Sequence, residues 1–104
     1  AVLVDAPCSG SGTWRRDPEA KWRLTPERLT KLEALQAEIL DQAARLVRPG
    51  GRLIYMTCSL FGSENEAQVA RFLTTHRGWT CLAQRCETPL DASDGFFHAV
   101  FHAP

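Results

Sequence analysis

The hydrophobic pattern of the chain alternates between short apolar runs, which predict strands, and longer stretches with helical spacing. The short runs are bounded by charges or by turn residues, as strands usually are. These runs are residues 1–4, 52–58, 80–86 and 95–102. In the last run Phe97, Ala99 and Phe101 alternate with His98, Val100 and His102. That alternation predicts a strand with one buried face.

The first helical stretch has clear signals at both ends. Thr25 is a good N-cap residue, Pro26 suits the first helical position, and the RPGG sequence at residues 48–51 ends the pattern. The apolar residues at spacings of three and four are Leu29, Leu32, Leu35, Ile39, Ala43 and Leu46. These positions predict the buried face of an amphipathic helix.

The second helical stretch begins with the spacing of a capping box. Ser63 is followed three residues later by Glu66, which predicts a helix that starts at residue 63. Its apolar face comprises Val69, Phe72 and Leu73. Gly78 is expected to end this helix.

The order of these elements predicts an α/β fold. Strand, helix, strand, helix, strand, strand is typical of a mostly parallel sheet covered by helices. With 104 residues the chain forms one domain at most.

Two cysteines lie at the carboxyl ends of the first two predicted strands. Consecutive strands joined by one helix usually lie side by side, and ligands of open α/β sheets bind outside the carboxyl ends of the strands. Cys8 and Cys58 are therefore expected to converge on one cleft. Buried packing thiols or a chance disulfide are the alternatives. A metal site is not expected, because neither cysteine has a second Cys or His at ligand spacing in its own loop.

The charge balance restricts where a polyanion could bind. Lys plus Arg and Asp plus Glu both number 12, so no global field favours nucleic acid or membrane, and any such site must be local. The long loop over residues 7–24 holds the one local cluster of basic and aromatic residues. Arg15, Arg16, Lys21 and Trp22 in this cluster suit phosphate contacts and base stacking. The alternative is that the tryptophans pack the loop onto the sheet.

Cysteine usage indicates the compartment. The chain has four cysteines, no signal peptide and no apolar run long enough to span a bilayer. We therefore expect a reduced, cytoplasmic setting without membrane attachment. Because the sequence starts inside a predicted strand and without methionine, it is also expected to be part of a longer protein.

Five short blocks together resemble a known enzyme family. They are DAPCSGSG, RRDPEAKW, GGRLIYMTCS, ENE and DGFFHA. In this combination the chain resembles the carboxyl half of the catalytic domain of the Sun (Fmu) family of RNA cytosine C5-methyltransferases, which includes the NSUN enzymes. The resemblance covers Val2 to Phe101. It implies a partial Rossmann-like class I methyltransferase fold, in which residues 1–104 supply strands 4 to 7 of a seven-stranded sheet with order 3-2-1-4-5-7-6.

The resemblance also implies roles for particular residues. A thiolate that adds to carbon 6 of cytosine makes carbon 5 nucleophilic toward the methyl group of S-adenosylmethionine. The residues alone leave open which cysteine attacks. The family implies that Cys58 is the nucleophile, that Cys8 assists breakdown of the adduct and product release, and that Asp5 contacts the target base. Pro7 is expected to stiffen the substrate-binding backbone beside Cys8.

The part of such an enzyme that holds S-adenosylmethionine has no counterpart in this sequence. Its glycine-rich turn and acidic residue would lie in an absent N-terminal half, so the cofactor-binding residues are unknown. We therefore expect this chain alone to be inactive and to dimerise through an exposed strand at Ala1 to Asp5. The RNA partner is rRNA or tRNA, which the sequence does not distinguish. A noncatalytic RNA-binding module and a thiol redox protein are the alternatives from other classes.

Overall fold

The computed structural model describes residues 1–13, 18–87 and 95–104, which form one sheet and the helices that connect its strands. The strands are β1 (Val2–Asp5), β2 (Arg52–Thr57), β3 (Thr80–Glu87) and β4 (Phe96–His102). The helices are α1 (Pro18–Arg23), α2 (Pro26–Ala44) and α3 (Glu66–Thr75), with a short 3-10 helix at Ser11–Thr13. Within these residues no helix is both long and apolar enough to cross a membrane.

The strand order is β1-β2-β4-β3. β1 pairs in parallel with β2, whereas β4 lies antiparallel between β2 and β3. Strands β1, β2 and β3 therefore run in one direction and β4 runs against them. The prediction of strands 4 to 7 in the order 4-5-7-6 is confirmed. A mostly parallel sheet was predicted, and three of the four described strands do run in the same direction. Of the pairings between described strands, however, only that of β1 with β2 is parallel.

The core lies between the sheet and helices α2 and α3. The alternation predicted for the last strand is confirmed, because Phe97, Ala99 and Phe101 are buried. The ring of Phe72 on α3 lies 4.6 Å from the ring of Phe101. Helices α2 and α3 pack side by side, and Gln68 Nε2 donates to the carbonyl of Glu33 across their interface at 2.8 Å.

The buried face of α2 differs from the predicted one. Gln36, Leu40 and Ala43 are buried, whereas Leu46 is 73% exposed and Leu35 is also exposed. The sheet and α3 cover a stripe shifted from the row of leucines. Hydrophobic spacing alone predicted only part of that stripe, because a buried polar residue, Gln36, belongs to it midway along the helix.

The helix boundaries are confirmed for α2 and corrected for α3. Thr25 caps α2 as predicted, since its hydroxyl accepts a hydrogen bond from the Arg28 N–H at 3.2 Å. The predicted start at Ser63 is wrong: α3 begins at Glu66, and its N-cap Asn65 makes no side-chain capping bond. Residues 62–65 form turns instead, and the side chains of residues 64 and 65 are used in buried contacts.

Candidate active site

The loops that carry the two cysteines meet beyond the ends of β1 and β2. The Ala6 N–H donates to the Met56 carbonyl at 2.9 Å and extends the strand pairing by one residue. Farther along, the Gly12 N–H donates to the Cys58 carbonyl at 2.8 Å. Cys8 is half-buried, as is Cys58. The structure thus brings both thiols to one edge of the sheet, as the topology predicts.

Gly12 lets three segments approach closely at this edge. A Cβ atom on Gly12 would lie 1.9 Å from the Gly95 carbonyl oxygen and 2.9 Å from the Cys58 carbonyl oxygen. The Gly95 N–H in turn donates to the Gly12 carbonyl at 2.8 Å. Only a residue without a side chain fits here, so the start of β4 packs directly against both cysteine loops.

The side chain of Glu64 connects the two cysteine loops through hydrogen bonds. Its side chain is fully buried and accepts the Ser9 N–H at 2.9 Å and the Ser9 hydroxyl at 2.6 Å. It also accepts hydrogen bonds from the Ser59 hydroxyl and, at 2.8 Å, from Gln36 Nε2. Ser9 follows Cys8 and Ser59 follows Cys58, so one carboxylate fixes the backbone on both sides of the site. The sequence pattern alone does not predict this role of Glu64.

A second set of buried hydrogen bonds surrounds Cys58. The Thr57 hydroxyl donates to Asn65 Oδ1 at 2.6 Å, and Asn65 Nδ2 donates to the Ser59 carbonyl at 2.7 Å. The Tyr55 hydroxyl donates to the Glu64 carbonyl at 2.7 Å. Within the described residues every buried side-chain nitrogen and oxygen has a partner. The Cys58 loop is therefore held by satisfied polar contacts on both sides.

The surroundings of Cys8 favour its neutral thiol. Burial raises the pKa of Cys8, and the negative charges of Glu64 and of a Cys58 thiolate raise it further. Hydrogen bonds from the backbone of Gly10 and Cys58 act in the opposite direction but are outweighed. A thiol that keeps its proton suits proton transfer better than nucleophilic attack at neutral pH.

Asp5 and Pro7 lie at the same edge. Asp5 is the last residue of β1, opposite Met56 on β2, and its side chain is exposed. The Pro7 carbonyl accepts a hydrogen bond from Gln36 Nε2 at 2.9 Å. The amide of Gln36 thus anchors the segment before Cys8 and also contacts Glu64.

Lys21 and Trp22 lie on α1, a helix that replaces part of the predicted loop. Trp22 is 81% exposed, and Lys21 Nζ lies 6.0 Å from the centre of the Trp22 ring. The alternative in which Trp22 packs the loop onto the sheet is therefore wrong. Arg15 and Arg16 lie outside the described residues.

A cavity of about 190 Å³ adjoins Cys8. It is lined by Cys8, Ser9, Arg23, Leu24, Arg28 and Leu32. Arg28 Nη1 donates to the Arg23 carbonyl at 2.9 Å, which joins the end of α1 to the first turn of α2. Arg28 could not be predicted from the sequence, because its position in the first turn of a helix gives no sign of a neighbouring thiol.

The fold and the site together define a class. The sheet order with one reversed strand and the paired cysteines at the open edge are those expected of an RNA methyltransferase of the Sun type. No group of three or more His, Cys, Asp or Glu residues that could hold a metal is found in the described parts of the chain.

Comparison with known proteins identifies the family. Residues 1–102 match the family described as 16S rRNA methyltransferase RsmB/F. The chain belongs to this family, which confirms the resemblance to the Sun and NSUN proteins.

Individual relatives agree with this assignment. The chain is 49% identical over 78 residues to a probable ribosomal RNA small subunit methyltransferase B of Synechocystis sp., covering 75% of this chain and 18% of that protein. The crystal structure of PH0851 superimposes with a TM-score of 0.92 at 40% identity, covering 96% of this chain and 26% of the other.

A second structure, NSun6 from Pyrococcus horikoshii with SFG, gives a TM-score of 0.82 at 24% identity and covers 96% of this chain and 29% of the other. This likeness shows the fold. The chain thus spans less than a third of the length of each of these proteins.

Proposed function

We propose that this chain forms the cytosine-binding part of the active site of an S-adenosylmethionine-dependent methyltransferase that makes 5-methylcytosine in 16S rRNA. The observation that carries the proposal is that the Cys8 loop and the Cys58 loop meet beyond the carboxyl ends of β1 and β2. The family supports methyl transfer to ribosomal RNA, and the relative from Synechocystis has that activity in its name. The cytoplasmic location stays a prediction.

In this proposal Cys58 attacks carbon 6 of the target cytosine. The new carbon–sulfur bond moves electron density to carbon 5, which then takes up the methyl group. A base then accepts the carbon 5 proton, and the electrons of that bond form the carbon 5–carbon 6 double bond as the carbon–sulfur bond breaks, which frees Cys58 and releases 5-methylcytosine. Burial raises the pKa of Cys8, so this thiol retains a proton that it can donate to the departing sulfur of Cys58, while a base takes the carbon 5 proton.

Asp5 is proposed to contact the target base. Its exposed carboxylate at the end of β1 can accept a hydrogen bond from the exocyclic amine of cytosine. Pro7 fixes the backbone between Asp5 and Cys8, since its carbonyl is held by Gln36. Lys21 and Trp22, with Arg15 and Arg16, are proposed to contact the RNA strand beside the target base.

The methyl donor itself is assigned to no residue described here. S-adenosylmethionine would supply an electrophilic methyl group on a positively charged sulfur. The cavity beside Cys8 does not fit it, because about 190 Å³ is smaller than usual cofactor sites and two arginines, Arg23 and Arg28, are among the residues that line it. We therefore propose that the chain alone is inactive.

Trapping of the covalent protein–RNA adduct tests the proposal. The full-length protein is incubated with small-subunit rRNA and S-adenosylmethionine as wild type, Cys8→Ala and Cys58→Ala, and denaturation-resistant adducts are separated on gels. We expect adduct to accumulate in Cys8→Ala and to be absent in Cys58→Ala. The reverse pattern would exchange the two roles. RNA binding that survives loss of both thiols, with no adduct in any variant, would favour the noncatalytic RNA-binding module.

A further inference from the structure

The most unusual buried group of this molecule is the carboxylate of Glu64. Oε1 accepts hydrogen bonds from the hydroxyls of Ser9 and Ser59, and Oε2 accepts the Ser9 N–H and Gln36 Nε2. Four donors converge on one fully buried side chain. The proposed reaction gives Glu64 no contact with the target base or with the RNA strand.

Burial of a carboxylate is costly unless hydrogen bonds replace its lost hydration. Hydrogen bonds to a charged acceptor are about twice as strong as neutral ones, so these contacts hold their donors firmly. Two of the donors, Ser9 and Ser59, are the residues that directly follow Cys8 and Cys58. Ser9 and Ser59 are 50 residues apart in the sequence, so these contacts join two distant segments of the chain.

We propose that Glu64 is a positioning residue that fixes the Cys8 loop and the Cys58 loop relative to each other. Its catalytic consequence rests on the proposed function, because only a two-thiol reaction needs this alignment. The alignment itself is independent of that reaction and can be measured without RNA or a methyl donor.

Glu64→Gln separates the charge of the side chain from its hydrogen bonds. The amide oxygen can replace Oε2 and accept from the Ser9 N–H and Gln36 Nε2. The amide nitrogen can replace Oε1, because the hydroxyls of Ser9 and Ser59 can rotate to accept from it. Gln therefore preserves the connection and removes the charge, whereas Ala removes both.

Cross-linking of the two thiols measures the alignment. The full-length protein is treated with dibromobimane, in which each thiolate displaces one bromide, and the Cys8–Cys58 product is identified by peptide mass mapping. Relative to wild type, we expect Glu64→Ala to slow this product at least about tenfold and Glu64→Gln to stay within about twofold. Ser9→Ala combined with Ser59→Ala should also slow it, and this variant serves if Glu64→Ala does not fold.

The control is a core substitution at the other end of the sheet. Phe101 lies opposite Leu53 on β2, at the end remote from Cys58, so Phe101→Leu destabilises the core without touching the loops. We expect its cross-linking rate to match wild type. Circular dichroism spectra and thermal midpoints verify that the compared variants are folded.

The pH dependence of Cys8 alkylation is a second measurement, and a residue that only stabilised the fold would not change its midpoint. Burial is the main cause of the raised pKa of Cys8, and the charge of Glu64 adds to it. Glu64→Gln should therefore shift the alkylation midpoint of Cys8 to lower pH, while Phe101→Leu leaves it in place.

Two results would overturn the proposal: a folded Glu64→Ala protein that cross-links like wild type, or an alkylation midpoint that Glu64→Gln does not change. The proposed function fails separately. If cross-linking follows the expected order but no variant forms an adduct with rRNA, Glu64 still aligns the loops and the methyltransferase mechanism is wrong.

Discussion

At the residue scale, the site depends on a position between the cysteine loops that has no room for a side chain. Gly12 lies where a Cβ atom would overlap the Gly95 carbonyl, and this contact brings the start of β4 against the Cys58 loop. Backbone atoms cannot move away as a flexible side chain can. Any larger residue at position 12 must therefore displace one of the three segments.

Gly12→Ala should destabilise the protein and misplace Cys58. We expect a loss of about 1–3 kcal/mol in the free energy of unfolding, the usual range for an overpacked interior. Denaturant titration followed by circular dichroism measures it. Gly62→Ala is the matched control, because the atom nearest to its Cβ would be a side-chain oxygen of Glu66 at 3.4 Å. Equal losses in the two variants would contradict the close-packing argument.

The part of the site that the sequence could predict is the part that depends on strand ends. Cys8, Cys58 and Asp5 follow or end strands, and the pairing of consecutive strands places them at one edge. Glu64 could not be predicted in the same way. Its partners on the Cys8 loop and α2 are distant in sequence, and a glutamate near a helix start is usually exposed.

At the element scale, the main departure from prediction is helix α1, which presents Trp22 to solvent. The ring is exposed, and Lys21 lies beside it. Exposed tryptophans are uncommon because they leave a large apolar area in water. A ring held in this way beside a cation fits stacking on an unpaired base with a neighbouring phosphate contact.

Substitutions on α1 should therefore weaken RNA binding by two separable effects. Trp22→Ala removes a stacking surface, for which we expect about tenfold weaker binding. Lys21→Glu should reduce the slope of log affinity against log salt concentration by about one, because one phosphate contact is lost. Fluorescence anisotropy with labelled rRNA fragments measures both.

Arg48→Glu is the control, since this exposed arginine lies in the turn after α2, away from the cysteine loops. If Arg48→Glu changes affinity and salt slope as much as the α1 variants do, α1 has no special role in binding.

The helices also show what hydrophobic spacing can and cannot determine. It predicted the existence of α2 and its N-cap at Thr25. It predicted only part of the buried stripe, because Gln36 lies in the core and its amide contacts Pro7 and Glu64. Likewise, the capping box at Ser63 was outweighed by the turn that carries Glu64 into the site. Both errors arise where polar residues are buried for tertiary contacts.

At the scale of the whole molecule, the two outer strands of the sheet differ in how they meet solvent. β1 pairs on one side with β2, and Leu3 in it is 63% exposed. β3 is the other outer strand, but it carries a register shift between Cys81 and Ala83 and a charged pair at its end. Bulges and charges discourage strand pairing, so β1 is the edge more open to association.

We therefore propose that the isolated chain associates through β1, because this outer strand exposes an apolar side chain and has one side unpaired among the described strands. Multi-angle light scattering over a range of concentrations should show a dimer or larger species whose fraction rises with concentration. Leu3→Lys places a charge on the open edge and should shift the chain toward the monomer. Leu82→Lys provides the matched control, because Leu82 is 51% exposed on β3 beside the bulge, where a charge should change association little. A monomeric wild-type chain at high concentration would contradict the proposal, and equal effects of the two lysines would indicate association by general hydrophobicity instead of strand pairing at β1.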